Sequence, residues 1–261
     1  MLFADILSVA AQAGGAFSPA SLNPSVWYDP SDLATVWEDS ARTTPASVNG
    51  VVGALDDKSG NGRHATQATT ANKPILRLTS GLYYLEFDGT DDFLSTAAID
   101  FSGADQVTAV AGARKLSDAA QATLFELRAN GTTTGGFGIL APSGATASYR
   151  FISTGSQASL AIYTDASVAA PHSAVLTGQG EISADLCTLR INGVERATSA
   201  TDQELSGAQP GYANDVIYIG RRAGTSNPFN GRLHGLIILG RLLTAPELTN
   251  TEAWMSAKAL P

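Results

Sequence analysis

The sequence is poor in the residues that carry most enzymatic and metal chemistry. It has one cysteine, Cys187, and three histidines, His64, His172 and His234, in 261 residues. A single thiol excludes an intrachain disulfide and every multi-cysteine zinc site, so packing and partners must supply the stability. Cys187 stands in an alternating run and reads as a small buried hydrophobe. No two histidines have metal-ligand spacing, and no Gly-x-Ser-x-Gly elbow occurs, which removes the usual hydrolase triad. Charge is scarce as well. Asp, Glu, Lys and Arg make up 15% of the chain, and 16 basic against 24 acidic residues leave a formal charge of −8. A surface that tracks phosphates needs a basic patch, so this balance argues against nucleic acid as a partner.

What is present points to strands and tight turns. Twenty-six glycines, with many serines and threonines, favour short strands, and helix is a minor component. Residues 82–94, Leu-Tyr-Tyr-Leu-Glu-Phe-Asp-Gly-Thr-Asp-Asp-Phe-Leu, read as strand, turn, strand. Tyr83, Leu85 and Phe87 alternate with Tyr84, Glu86 and Asp88, and Asp88-Gly89 forms the turn. Asp88, Asp91 and Asp92 crowd that corner, either as a cation ligand set or as a solvated turn. Short alternating runs continue from 106 to 170. Asn192-Gly193 predicts a two-residue hairpin after Cys187, Leu189 and Ile191. The apolar runs 216–219 and 236–239 predict central strands covered on both faces. Thr244-Ala245-Pro246-Glu247 is a capping box, followed by a helix with Leu248, Met255 and Ala259 on one face and Trp254 at its edge. Trp27 is expected in the core.

The first residues are apolar. A cleavage-site-like Ala11-Gln12-Ala13 follows, but no basic residue precedes the run and Asp5 interrupts it, which argues against a secretory signal. The run is too short to cross a bilayer. Residues 1–20 are expected to form an arm that docks on a neighbouring subunit through Leu2, Phe3, Ile6 and Leu7, and residues 21–261 the globular domain.

Four stretches resemble the laminin-G-like, concanavalin-A-like jelly-roll family, in the variant common in bacteriophage virion proteins. They are Trp27-Tyr28-Asp29-Pro30-Ser31-Asp32, Asp57-Lys58-Ser59-Gly60-Asn61-Gly62-Arg63-His64-Ala65, Phe87-Asp88-Gly89-Thr90-Asp91-Asp92, and the end from Ile219-Gly220 through Phe229-Asn230-Gly231 to Leu243-Thr244-Ala245-Pro246-Glu247-Leu248. The resemblance implies an all-β, two-sheet antiparallel sandwich with a short C-terminal helix and an N-terminal arm. It also implies edge loops that in some members bind sugar or calcium. Calcium takes six to eight oxygens, and Asp88, Asp91 and Asp92 are its candidate ligands. Jelly-roll glycosidases use paired strand carboxylates. Glu86 and Asp88 come nearest, but the third position, Asp91, lies beyond a glycine turn.

Sugar recognition needs an aromatic platform beside polar acceptors, and Trp37, Tyr212 and Phe229 with Asn214, Asn227 and Asn230 are the candidates. Ordinary loop packing is the alternative for each. The expectation is a non-enzymatic, oligomeric virion surface protein, a spike, fibre or decoration held to other virion subunits by its arm and binding host-surface glycan. A decoration protein without glycan binding and a jelly-roll glycoside hydrolase are the competing readings.

Overall fold

The structure is a computed structural model and describes residues 17–127, 134–201, 203 and 211–260. Its elements, in chain order, are β1 (Val26–Tyr28), β2 (Val36–Trp37), β3 (Ala54–Leu55), β4 (Ala65–Thr66), β5 (Ile75–Thr79), β6 (Leu82–Asp88), β7 (Leu94–Asp100), β8 (Gln106–Lys115), β9 (Thr123–Leu127), β10 (Phe137–Leu140), β11 (Ser148–Thr154), β12 (Ala158–Thr164), β13 (His172–Glu181), β14 (Leu186–Ile191), β15 (Val194–Ser199), β16 (Asn214–Ile219), β17 (Asn230–Leu239) and α1 (Ala245–Ala259). The expected arm residues Leu2, Phe3, Ile6 and Leu7 lie outside the described residues.

The strands form two antiparallel sheets, as the alternation predicts. One runs β15-β14-β13-β8-β17-β6-β5, with β1 also paired to β17; the other runs β12-β11-β10-β9-β16-β7-β4-β3-β2. Phe125, Phe137, Phe151, Leu85, Phe87, Leu236 and Ile238 fill the space between them. Glycine lets the sheets close here, since a Cβ on Gly178 would stand 2.0 Å from the Phe151 ring. Cys187 is buried in the same layer, and burial pushes its thiol up to about 12.

A second apolar layer lies on the outside of the eight-stranded sheet. Val110, Val175, Ile237 and Leu239 meet Leu248 and Met255 of α1. Both halves of the capping box form, with Thr244 N–H donating to Glu247 Oε2 at 2.9 Å. Trp27 is buried, and its ring meets Trp254 edge-on at 5.8 Å.

Three expectations change. Residues 82–94 give two strands, but β6 pairs with β5 and β17 whereas β7 pairs with β16 and β4. The Asp88-Gly89 corner is therefore a crossover from one sheet to the other. On β16, Val216 and Tyr218 remain half-exposed, so 216–219 is covered on one face only, whereas Leu236–Leu239 is buried on both. Glu126, the polar residue that alternates with Phe125 and Leu127 in the 106–170 runs, does not face water as that alternation implies but is fully buried on β9 and paired with Arg222 at 3.1 Å. Arg222 stands in the turn after β16, and the pair ties that turn to β9.

Candidate functional site

Three connections meet at the edge where β6 crosses over. The first is the acidic corner. Asp88 Oδ1 accepts the amides of Thr90 at 2.7 Å and Asp91 at 3.3 Å, an Asx-type turn, and Gly89 takes φ 78°. A Cβ at Gly89 would lie 2.7 Å from Asn230 Cβ, so glycine also allows this corner to approach β17. Asp92 is buried and its Oδ2 accepts the Asp88 amide at 3.0 Å.

The second is the turn between β16 and β17, which ends on Asn230, the Cα partner of Asp88. The third is the β8–β9 connection, anchored from below. Lys115 is fully buried, and its Nζ donates to Asp118 Oδ1 at 2.5 Å and to the Ser148 carbonyl at 3.2 Å. Asp118 Oδ2 accepts the Ala170 amide at 2.6 Å. A buried ammonium held this way fixes the loop that follows it. Between the loops is a depression of about 160 Å³ lined by Gly89, Ser117, Gln121, Pro228 and Asn230.

One ligand oxygen from each of Asp88, Asp91 and Asp92 lies within 4.8 Å of the others. That span suits a cation with metal–oxygen distances of about 2.3–2.6 Å, and the donors are the hard oxygens calcium prefers. The carboxyl of Asp92 is pushed up to about 7, chiefly by burial and then by the charges of Asp88, Asp91 and Glu86, against the lowering hydrogen bond from the Asp88 amide. A bound cation would reverse that shift.

The predicted sugar-contacting residues separate. Tyr212 is fully buried, its hydroxyl 2.8 Å from Ser153 Oγ and its ring edge-on to Phe137 at 5.2 Å. Phe229 is buried against Phe87 at 6.0 Å. Neither presents a ring face, which corrects both expectations: the apolar area of these rings is worth more in the core than on a loop. Trp37 is half-buried on the terminal strand β2, and its Nε1 donates to Asp56 Oδ2 at 2.9 Å. Asn214 opens β16 opposite Asp100, at the far end of the sandwich from the corner. Asn227 and Asn230 lie in the β16–β17 turn and at the start of β17, and Asn230 lines the depression. Ser117 and Gln121 were not singled out by the sequence, since a Ser and a Gln in an alanine-rich loop carry no local signal.

The carboxylates nearest a glycosidase pattern are engaged. Glu86 Oε1 accepts Arg77 Nε at 2.9 Å, and Asp88 holds its own turn. The described helix α1 is not long and apolar enough to cross a membrane.

A two-sheet antiparallel sandwich with loops converging on one edge defines a jelly roll of the lectin type. The chain belongs to the concanavalin A-like lectin/glucanases superfamily, whose family model matches residues 88–249. A search of curated protein sequences finds no match. The fold is similar to the botulinum neurotoxin serotype G binding domain, at 12% identity over 90% of this chain and 51% of that one, TM-score 0.60. It is also similar to the serotype D ligand binding domain in complex with N-acetylneuraminic acid, at 12% identity over 93% and 53%, TM-score 0.59. A third likeness is to Trypanosoma rangeli sialidase in complex with the inhibitor DANA, at 13% identity over 86% and 36%, TM-score 0.54. The chain spans about half or less of the length of these structures, and identities this low bear on the fold alone. The fold is thus shared by binding domains and by sialidases.

Proposed function

We propose that the protein is a non-catalytic carbohydrate-binding module, displayed on the surface of a phage or phage-like particle and directed at host-surface polysaccharide. The observation that carries the binding reading is the convergence of Ser117, Gln121 and Asn230 around one open depression beside Gly89 of the acidic corner. Hydroxyl and amide groups at a loop edge are the chemistry that exchanges hydrogen bonds with sugar hydroxyls. The N-acetylneuraminic acid and DANA complexes of fold neighbours support a sugar as the ligand class. The engagement of Glu86 by Arg77 supports binding without cleavage. If a cation takes part, Asp88, Asp91 and Asp92 would hold it and it would stiffen the corner beside Asn230. The particle setting, with residues 1–20 as the anchor to other subunits, rests on the four stretches that resemble the virion form of the fold.

Incubating the purified protein with immobilised bacterial capsular polysaccharides, and measuring retention and polymer length together, tests this. We expect retention of at least one polymer with its length unchanged. Asn230→Ala and Gln121→Ala should each weaken retention about tenfold, the scale of one or two lost polar hydrogen bonds. Shortened polymer would identify a hydrolase. Retention of none would favour a decoration protein.

A further inference from the structure

The outer face of the eight-stranded sheet carries a row of charged residues that the pairing register places side by side. Glu86 of β6 is the Cα partner of Arg232 of β17, Arg232 of Arg114 of β8, and Arg114 of Ser173 of β13. Like charges directly opposite on neighbouring strands destabilise a sheet unless something neutralises them. Glu86 does so only in part. Its Oε1 is taken by Arg77, and its Oε2 stands 4.0 Å from Arg232 Nε, beyond hydrogen-bond reach. Arg114 reaches Ser173 Oγ from Nη1 at a long 3.4 Å.

The Nε–H groups of both Arg114 and Arg232 are buried and have no acceptor among the described residues. A buried donor left without an acceptor is costly, and a guanidinium offers five donors in a fork suited to an oxyanion. Arg232 lies over the Tyr84 ring at 4.5 Å, a cation–π contact that restrains its guanidinium. These residues line a small cleft of about 80 Å³ with Tyr84, Ser173, His234 and Ala259 at the end of α1. His234 beneath it stays neutral at ordinary pH, because burial, with Arg232 and Arg114 beside it, holds its imidazole down at about 4. Three arginines against one glutamate thus make a locally cationic patch on a chain of charge −8. Arg232 follows Asn230 by two residues on β17, so the two point to the same face about 7 Å apart.

We propose that this cleft is an oxyanion site gripped by the forks of Arg114 and Arg232, and that it receives the carboxylate of an acidic sugar in the glycan bound at the adjoining loop edge. The assignment to a sugar rests on the glycan-binding reading; the oxyanion site itself does not. The same donors would also accept a phosphate group, so the two sources are separated by experiment.

The 261-residue chain is titrated with sodium glucuronate, with sodium phosphate and with neutral glucose, at constant ionic strength held by chloride. The imidazole NMR signals of His234 report on the cleft. A saturable shift with glucuronate, absent with glucose and weakened about tenfold or more in Arg232→Gln and Arg114→Gln, is the expected result. Arg232→Lys, which keeps the charge but loses the fork, should bind more weakly than the parent chain. In the polysaccharide assay, Arg232→Gln should lose acidic polymers while keeping any neutral one.

A linear, unsaturable response, or one unchanged by the glutamine variants, overturns the cleft and leaves the glycan reading standing. A response to phosphate alone overturns the acidic-sugar assignment. A saturable glucuronate response from a chain that retains no polysaccharide supports the oxyanion site while the glycan reading fails. Saturation by glucuronate and its absence with glucose are read on the unmutated chain, so a linear response overturns the cleft whether or not any variant folds.

Discussion

Burial and neighbouring carboxylates place Asp92 near 7, against an ordinary value of 3.8. Because the folded chain holds this proton more tightly than the unfolded chain, the associated stability is complete below about pH 4 and is lost as pH rises through 7. The loss is of the order of a few kcal/mol at about 1.4 kcal/mol per unit. Asp92→Asn keeps an oxygen to accept the Asp88 amide and removes the charge. We therefore expect the variant to be more stable than the parent at pH 8, with the difference vanishing toward pH 4, in urea unfolding at both. A pH-independent difference would contradict the assigned cause. If calcium binds the corner, millimolar calcium should raise the parent's unfolding midpoint at pH 8 and leave that of Asp92→Asn nearly unmoved. At the other end of the site, Asp118→Asn leaves the Lys115 ammonium buried without its carboxylate. Breaking a buried pair costs about 3–5 kcal/mol, and denaturant unfolding should show a loss of that size.

At the scale of elements, α1 sits close on its sheet because two strands present glycine beneath it. A Cβ on Gly112 would lie 2.8 Å from both Met255 Sδ and Ala259 Cβ, and one on Gly235 would lie 3.1 Å from Met255 Sδ. Gly112→Ala should lift the helix and cost about 1–3 kcal/mol, the usual penalty for overpacking. A thermal midpoint equal to that of the parent would count against it. The helix itself was legible from its capping box, and the β14–β15 hairpin from Asn192-Gly193, which take φ 51° and 79°. Such features are local, and local pattern states them. The partners of β6 and β7 were not legible, because alternation specifies a strand and its faces but not the sheet it joins. For the same reason Tyr212 and Phe229 read as loop aromatics. A ring between turn residues has no sequence mark that distinguishes an exposed platform from a plug in the core.

Across the whole molecule, only part of the candidate site could be read in advance. The Asp88 corner stood out because turn chemistry marks it, and Asn230 because it is a polar acceptor beside Phe229, whereas the Arg232–Arg114 row exists only through register, with the two residues 118 positions apart in the chain. Register also shapes β17. Its Leu236 and Ile238 belong to the core between the sheets, and its Ile237 and Leu239 to the layer under α1. Along its edges it pairs with β8 on one side and, in succession, with β6 and β1 on the other. A strand enclosed on four sides cannot open by fraying. The amides of residues 236–239 should therefore exchange with solvent deuterium only when the entire chain unfolds, making them a built-in gauge of global stability for every variant named above.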